Sequence, residues 1–140
     1  MEDSPLNSKG FNPFANLLGL KFTRHADGEC ECTLEIRRDH FNPGGVVHGG
    51  VSYSLADTTM AVALISTLEP GKTGTTIEIK MSYLAPVREG TLRAASRVIR
   101  RGKRIAFMET QVFEGERLVA AATGTFAIID VPSVPHPAKA

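Results

Sequence analysis

Tryptophan is absent from the chain, cysteine occurs only twice, and the aromatic share is 6%. Two cysteines cannot supply the multiple bridges that staple small secreted domains. Cys30 and Cys32 sit two apart on an expected strand, so they point the same way without a geometry for easy bridging. They read as two small residues on a half-buried face, with a reactive thiol as the rival reading. Charge of one sign is also missing: a formal net charge of +1 gives no global field to recruit nucleic acid or a membrane surface. No apolar run approaches the roughly 18 residues of a membrane span. The opening MEDSPLNSKG lacks the basic-then-apolar pattern of a secretion signal, so the cytoplasm is the expected compartment. His40 and His48 have no nearby Cys and match no common zinc spacing, so neither a metal nor a cofactor is expected. Ser52 and Ser54 lie in Gly-Val-Ser-Tyr-Ser, which is not the G-x-S-x-G elbow of a serine hydrolase.

What remains is the composition of an ordinary globular chain, 42% hydrophobic and 22% charged in 140 residues. That length suits one domain burying roughly two-thirds of its unfolded surface. Polar residues 1–10 and the Pro-rich stretch 131–140, VPSVPHPAKA, read as frayed ends around a domain at 11–130.

The domain is organised around HFNPGGVVHGGVSYSLADTTMAVALIS, residues 40–66. A glycine-rich loop leads into a run, 51–65, that contains no Pro or Gly and is apolar on nearly every side. Such a helix is expected to be buried. Asp57 is its one charged residue, and an ionised carboxylate in an apolar element costs several kcal/mol unless it is paired or put to use. It is either a hydrogen-bonded structural residue or a working group. The loop bears on the choice, because backbone N–H groups at His48-Gly49-Gly50, where the helix begins, lack intrahelical partners and attract negative charge. Asp57 follows Gly49 by eight residues, about 12 Å along a helix axis. Either the two features are unrelated, or a second copy of the chain brings its carboxylate to this loop.

Around that helix the pattern is one of strands. Asn12-Pro13 caps a short helix ended by Gly19, and strands at 20–24 and 30–36 flank the turn Ala26-Asp27-Gly28. Beyond Gly71 the period is two: Ile77, Ile79, Met81 and Tyr83 form a dry face against Thr76, Glu78, Lys80 and Ser82. Runs at 91–100, 105–113 and 117–129 are separated by short glycine-containing turns, which join antiparallel neighbours. One long helix and a meander of strands predict an α+β fold, a curved antiparallel sheet wrapped around a central helix.

The order His40, Asn42, Gly45, His48-Gly49-Gly50, Asp57 and then GTTIEIKMSYLAPVREG resembles the hotdog-fold acyl-CoA thioesterases, and within them the PaaI-like, phenylacetate-degradation branch. The resemblance runs from about residue 14 to about 129. It implies a hotdog fold and hydrolysis of an acyl- or aryl-CoA, with no cofactor. It assigns Asp57 as the general base or nucleophile, Gly49 N–H as the donor that polarises the carbonyl, Asn42 as the group orienting water or carbonyl, and Thr76 as a residue steadying the acid. His48 and Gly50 take supporting places around the substrate, and the assembly is a homodimer or a dimer-of-dimers tetramer with sites at the subunit interface. Arg97, Arg100, Arg101, Lys103 and Arg104 crowd one hairpin end. They are either a solvated, soluble tip or, for Arg100, Arg101 and Lys103, the phosphate contacts of coenzyme A. RNA is the weaker partner, since no aromatics are interleaved with the charges. Two other functions stay open. HFNPGG superficially resembles the loop of acyl-carrier dehydratases but lacks their later proline, and a non-catalytic acyl-CoA-binding module would suit a purely structural Asp57.

Overall fold

The computed structural model describes residues 4–132. Asn12 accepts from the Ala15 N–H at 3.0 Å and Pro13 occupies the first turn, so helix α1 runs Pro13–Leu18 and stops at Gly19. Strands β1 (Leu20–Ala26) and β2 (Glu29–Glu35) follow, then the loop and the long helix α2 (Gly49–Ile65). Strands β3 (Lys72–Tyr83), β4 (Thr91–Arg101), β5 (Ile105–Glu114) and β6 (Arg117–Asp130) complete the chain. All six strands join one antiparallel sheet in the order β1-β2-β4-β5-β6-β3. Helix α2 touches every one of them, so the sheet curls around it as the α+β hotdog arrangement requires.

Alternation supplies the core. Cys30, Cys32 and Leu34 of β2, Leu92 and Ala94 of β4, Met108 and Val112 of β5, and Phe126 of β6 face inward onto Leu55, Met60, Ala63 and Leu64 of α2. The two cysteines are fully buried rather than on a half-buried face. Packing tolerates little extra volume at Gly124, where an added Cβ would lie 2.8 Å from Met60 Sδ and 3.2 Å from the Phe126 ring. Gly124→Ala is expected to cost about 1–3 kcal/mol through overpacking. In a urea titration this appears as a lower midpoint with an unchanged slope.

Three features differ from the sequence reading, each for a physical reason. The apolar circumference of α2 predicts burial on all sides, yet the sheet covers only Val51, Ser52, Leu55, Ala56, Thr59, Met60, Ala63 and Leu64. Tyr53, Asp57, Thr58, Ala61, Val62 and Ile65 lie on a side that the chain's own sheet leaves open. The strict alternation of β3 is broken as well. Thr76 pairs with Phe126 and Glu78 with Thr125, so Ile77 is an extra, bulged residue and stands 54% exposed. Finally, the N-terminal stretch carries a 3-10 turn, Pro5–Asn7, fastened to β1. Asn7 Nδ2 donates to Phe22 O at 3.0 Å and Phe22 N–H donates to Asn7 Oδ1 at 2.8 Å. Residues 1–3 and 133–140, where fraying was also expected, lie outside the described residues.

Candidate active site

The loop before α2 is built from its own hydrogen bonds. Asn42 Oδ1 accepts from Gly44 N–H at 2.8 Å and Val46 N–H at 3.4 Å, while Asn42 N–H donates to Val46 O at 2.8 Å. His40, only 1% exposed, ties this loop to α1. Its Nδ1 accepts from Arg37 N–H at 3.0 Å, which leaves the proton on Nε2 to be donated to Leu18 O at 2.8 Å. His48 N–H in turn donates to His40 O at 2.8 Å.

At the helix start, His48 is the N-cap, and its Nδ1 accepts from Gly50 N–H at 2.8 Å. The Gly49 N–H has no acceptor among the described residues. Tyr83, at the end of β3, donates from its hydroxyl to Gly49 O at 2.7 Å. Its ring lies so close that a Cβ on residue 49 would sit 3.0 Å from it, which accounts for glycine there. A cavity of about 320 Å³ opens beside Gly49, between Val46, Val47, Ser52, Tyr83 and Val87. Sequence reasoning gave Tyr83 no role at the site. Its only signal was its place on the dry face of β3.

Asp57 lies elsewhere along the helix. Thr76 Oγ1 donates to Asp57 Oδ1 at 2.6 Å, and Oδ2 has no donor among the described residues. The bulge at Ile77 makes this contact possible. Without the extra residue Thr76 would share the outward phase of Glu78 and Lys80; with it, Thr76 sits on the inner face beside Phe126. The carboxylate and Thr76 border a mostly apolar cavity of about 580 Å³ on the open side of α2. That cavity and the one beside Gly49 share no lining residue. One chain therefore presents an open backbone donor in one cavity and a threonine-held carboxylate in another.

The sequence pattern of the thioesterase superfamily matches residues 44–121, from the loop through α2 and into β6. The chain belongs to that superfamily. Among solved structures, the conserved protein PA5202 of Pseudomonas aeruginosa is 36% identical, with a TM-score of 0.82 over 84% of this chain and 94% of that one. A mutant of the phenylacetic acid degradation protein PaaI from Thermus thermophilus is 31% identical, with a TM-score of 0.77 over 83% of this chain and 98% of its own. Human acyl-coenzyme A thioesterase 13 is 29% identical across 67% of this chain and 68% of its own length.

Other nucleophiles of this thioesterase are poorly placed. Burial pushes the Cys30 thiol up to about 12, with Cys32 beside it raising it further. Cys32 is pushed up to about 12 as well, by burial. Both thiols stay protonated near neutral pH and stand in the core. Among the described residues no group of His, Cys, Asp and Glu is arranged to hold a metal ion.

The basic hairpin divides by partner. Arg101 Nη1 donates to Thr67 O at 3.1 Å, and Nη2 donates to the two Glu69 carboxylate oxygens at 3.0 and 3.1 Å. It fastens the turn that follows α2, whereas Arg97 pairs with Glu109. Arg100, Lys103 and Arg104 have no side-chain partner among the described residues. Arg100→Ala with Lys103→Ala is expected to raise KM for acyl-CoA while leaving kcat nearly unchanged, because phosphate contacts hold substrate and transition state alike. Arg101→Ala is expected to lower the melting temperature instead. Steady-state kinetics alongside thermal melts distinguish the two.

Proposed function

We propose that this thioesterase hydrolyses acyl-CoA thioesters at a site assembled from two copies of the chain. One copy contributes the Gly49 loop and the other contributes Asp57 with Thr76. The observation that carries this reading is the separation of the two groups, about 12 Å along one rigid helix and in different cavities, too far to meet on one carbonyl carbon. Two further features support a partner copy. The open side of α2 carries Ala61, Val62 and Ile65 beside Asp57, and β3 is an edge strand that pairs only with β6 among the described residues.

In the assembled site the thioester carbonyl oxygen points at the Gly49 N–H. This preorganised donor at a helix N-terminus stabilises the oxyanion of the tetrahedral intermediate by about 3 kcal/mol. His48 occupies the neighbouring Gly50 N–H, so its contribution and that of Gly50 is to shape the loop around one free donor. Asn42 Oδ1 is committed to loop amides, which leaves the Nδ2 amide to orient the carbonyl or the water. Asp57 either takes a proton from water or attacks the carbonyl carbon. In either role Thr76 holds one oxygen and leaves the other free to act. Arg100 and Lys103 meet the phosphates of coenzyme A.

The assembly is a homodimer or a dimer of dimers, working in the cytoplasm. No described helix is long and apolar enough to cross a membrane. Sedimentation combined with thiol release from an acyl-CoA panel tests the reading: activity is expected in a dimer or larger species, and an active monomer would refute the shared site.

A further inference from the structure

The open side of α2 is not uniformly bare. Asp57, Ala61 and Ile65 are spaced i, i+4 and i+8, so they form one stripe along the helix. All three border the 580 Å³ cavity that also holds Thr76. From carboxylate to isoleucine the stripe runs about 12 Å. Beyond Asp57 the stripe itself is apolar, with Val62 beside it and Thr58, Ser66 and His25 as polar members of the lining, and alanine at position 61 leaves room just past the carboxylate. Phe11 (48% exposed), just ahead of α1, and Phe14 (54% exposed), on α1, border the same cavity. That segment is held in place by the paired bonds between Asn7 and Phe22 and by the Asn12 cap of α1. Two exposed phenyl rings and the exposed Ile65 leave apolar surface wet in this cavity, and its carboxylate, Asp57, is the proposed reactive group.

We infer that this groove receives the acyl part of the substrate, an apolar acyl group of medium length lying from Asp57 toward Ile65 between the α2 stripe and the two phenyl rings. The inference rests on the thioesterase reading of Asp57 and adds the substrate class and its selecting residues. The groove's length matches an octanoyl chain or a phenyl ring on a short spacer. An acetyl group would end well short of Ala61, which lies about 6 Å along the axis from Asp57, and would leave both phenyl rings in water. Phe11 and Phe14 are specificity-determining residues in this arrangement, and Ala61 sets how far the chain can pass.

The test is a series of acetyl-, butanoyl-, hexanoyl-, octanoyl- and phenylpropanoyl-CoA, assayed by thiol release on the full-length protein. For the wild type, kcat/KM is expected to climb roughly threefold or more with each added methylene up to octanoyl, the increment that burial of a CH₂ provides. Ala61→Leu narrows the groove one turn past Asp57. It is expected to lower the octanoyl-to-acetyl ratio of kcat/KM about tenfold or more, because only the longer chain has to pass position 61. The exposed pair Phe11→Ala and Phe14→Ala is expected to flatten the chain-length series, lowering the octanoyl-to-acetyl ratio of kcat/KM by about tenfold or more. That pair decides the matter if Ala61→Leu does not fold. A wild-type series without chain-length dependence, or Phe variants with the wild-type slope, would overturn the inference while leaving the thioesterase reading intact. Failure to hydrolyse any of the five esters would instead remove the reading on which it rests.

Discussion

Asp57→Asn chains are expected to fold, associate and bind acyl-CoA as the wild type does, and to turn it over about 100-fold or more slowly. The local structure makes this a clean substitution. Asn keeps an oxygen where Thr76 Oγ1 donates to Asp57 Oδ1 at 2.6 Å, so the bond to β3 survives. What disappears is the charge and the free oxygen that can take a proton or attack a carbonyl. The rival reading, a carboxylate kept for structure, predicts the opposite division: a lower melting temperature and near-normal turnover by the folded fraction. Thermal melts and steady-state kinetics on one preparation separate the two, and a full-speed Asp57→Asn enzyme would end the catalytic assignment.

Much of this arrangement was readable in advance because it depends on local rules. The cap at Asn12, the stop at Gly19, the uninterrupted run of α2 and the glycine turns between strands each follow from a few neighbouring residues. The elements missed or misjudged depend on distant partners. Period-two counting sees residue types and cannot see an inserted residue, so it put Thr76 on the wrong face of β3. Only pairing with β6 reveals the bulge at Ile77. The five cations near the β4–β5 hairpin look alike in sequence, and Arg101 is set apart by Glu69, 32 positions away. An apolar helix reads as buried, but the sequence does not say whether its own sheet or another copy of the chain does the burying. The same reason hid the groove, since its lining joins α2 to Phe11 and Phe14, more than 40 positions earlier in the chain.

Mixing two inactive variants is expected to restore activity. A Gly49→Ala chain has an intact Asp57, and its new Cβ, 3.0 Å from the Tyr83 ring, is expected to force ring and loop apart and shift the N–H donor. Loss of one oxyanion donor costs roughly 100- to 1,000-fold in kcat. An Asp57→Asn chain has an intact loop and no working carboxylate. If each site takes its loop from one copy and its acid from the other, a mixed dimer joins the two intact halves in one site and the two defective halves in the other. After random subunit exchange half of the dimers are mixed and each holds one good site, so activity should recover to roughly one quarter of wild type. If loop and acid belonged to the same chain, every site in the mixed dimer would carry one defect and the mixture would remain as inactive as its components. Differently tagged chains, co-purified to isolate the mixed species, make the readout unambiguous, because verified heterodimers without activity would place both groups in one chain. The geometry weighs against that outcome: α2 is a rigid rod, and no rotamer of Asp57 spans the roughly 12 Å back to its own Gly49.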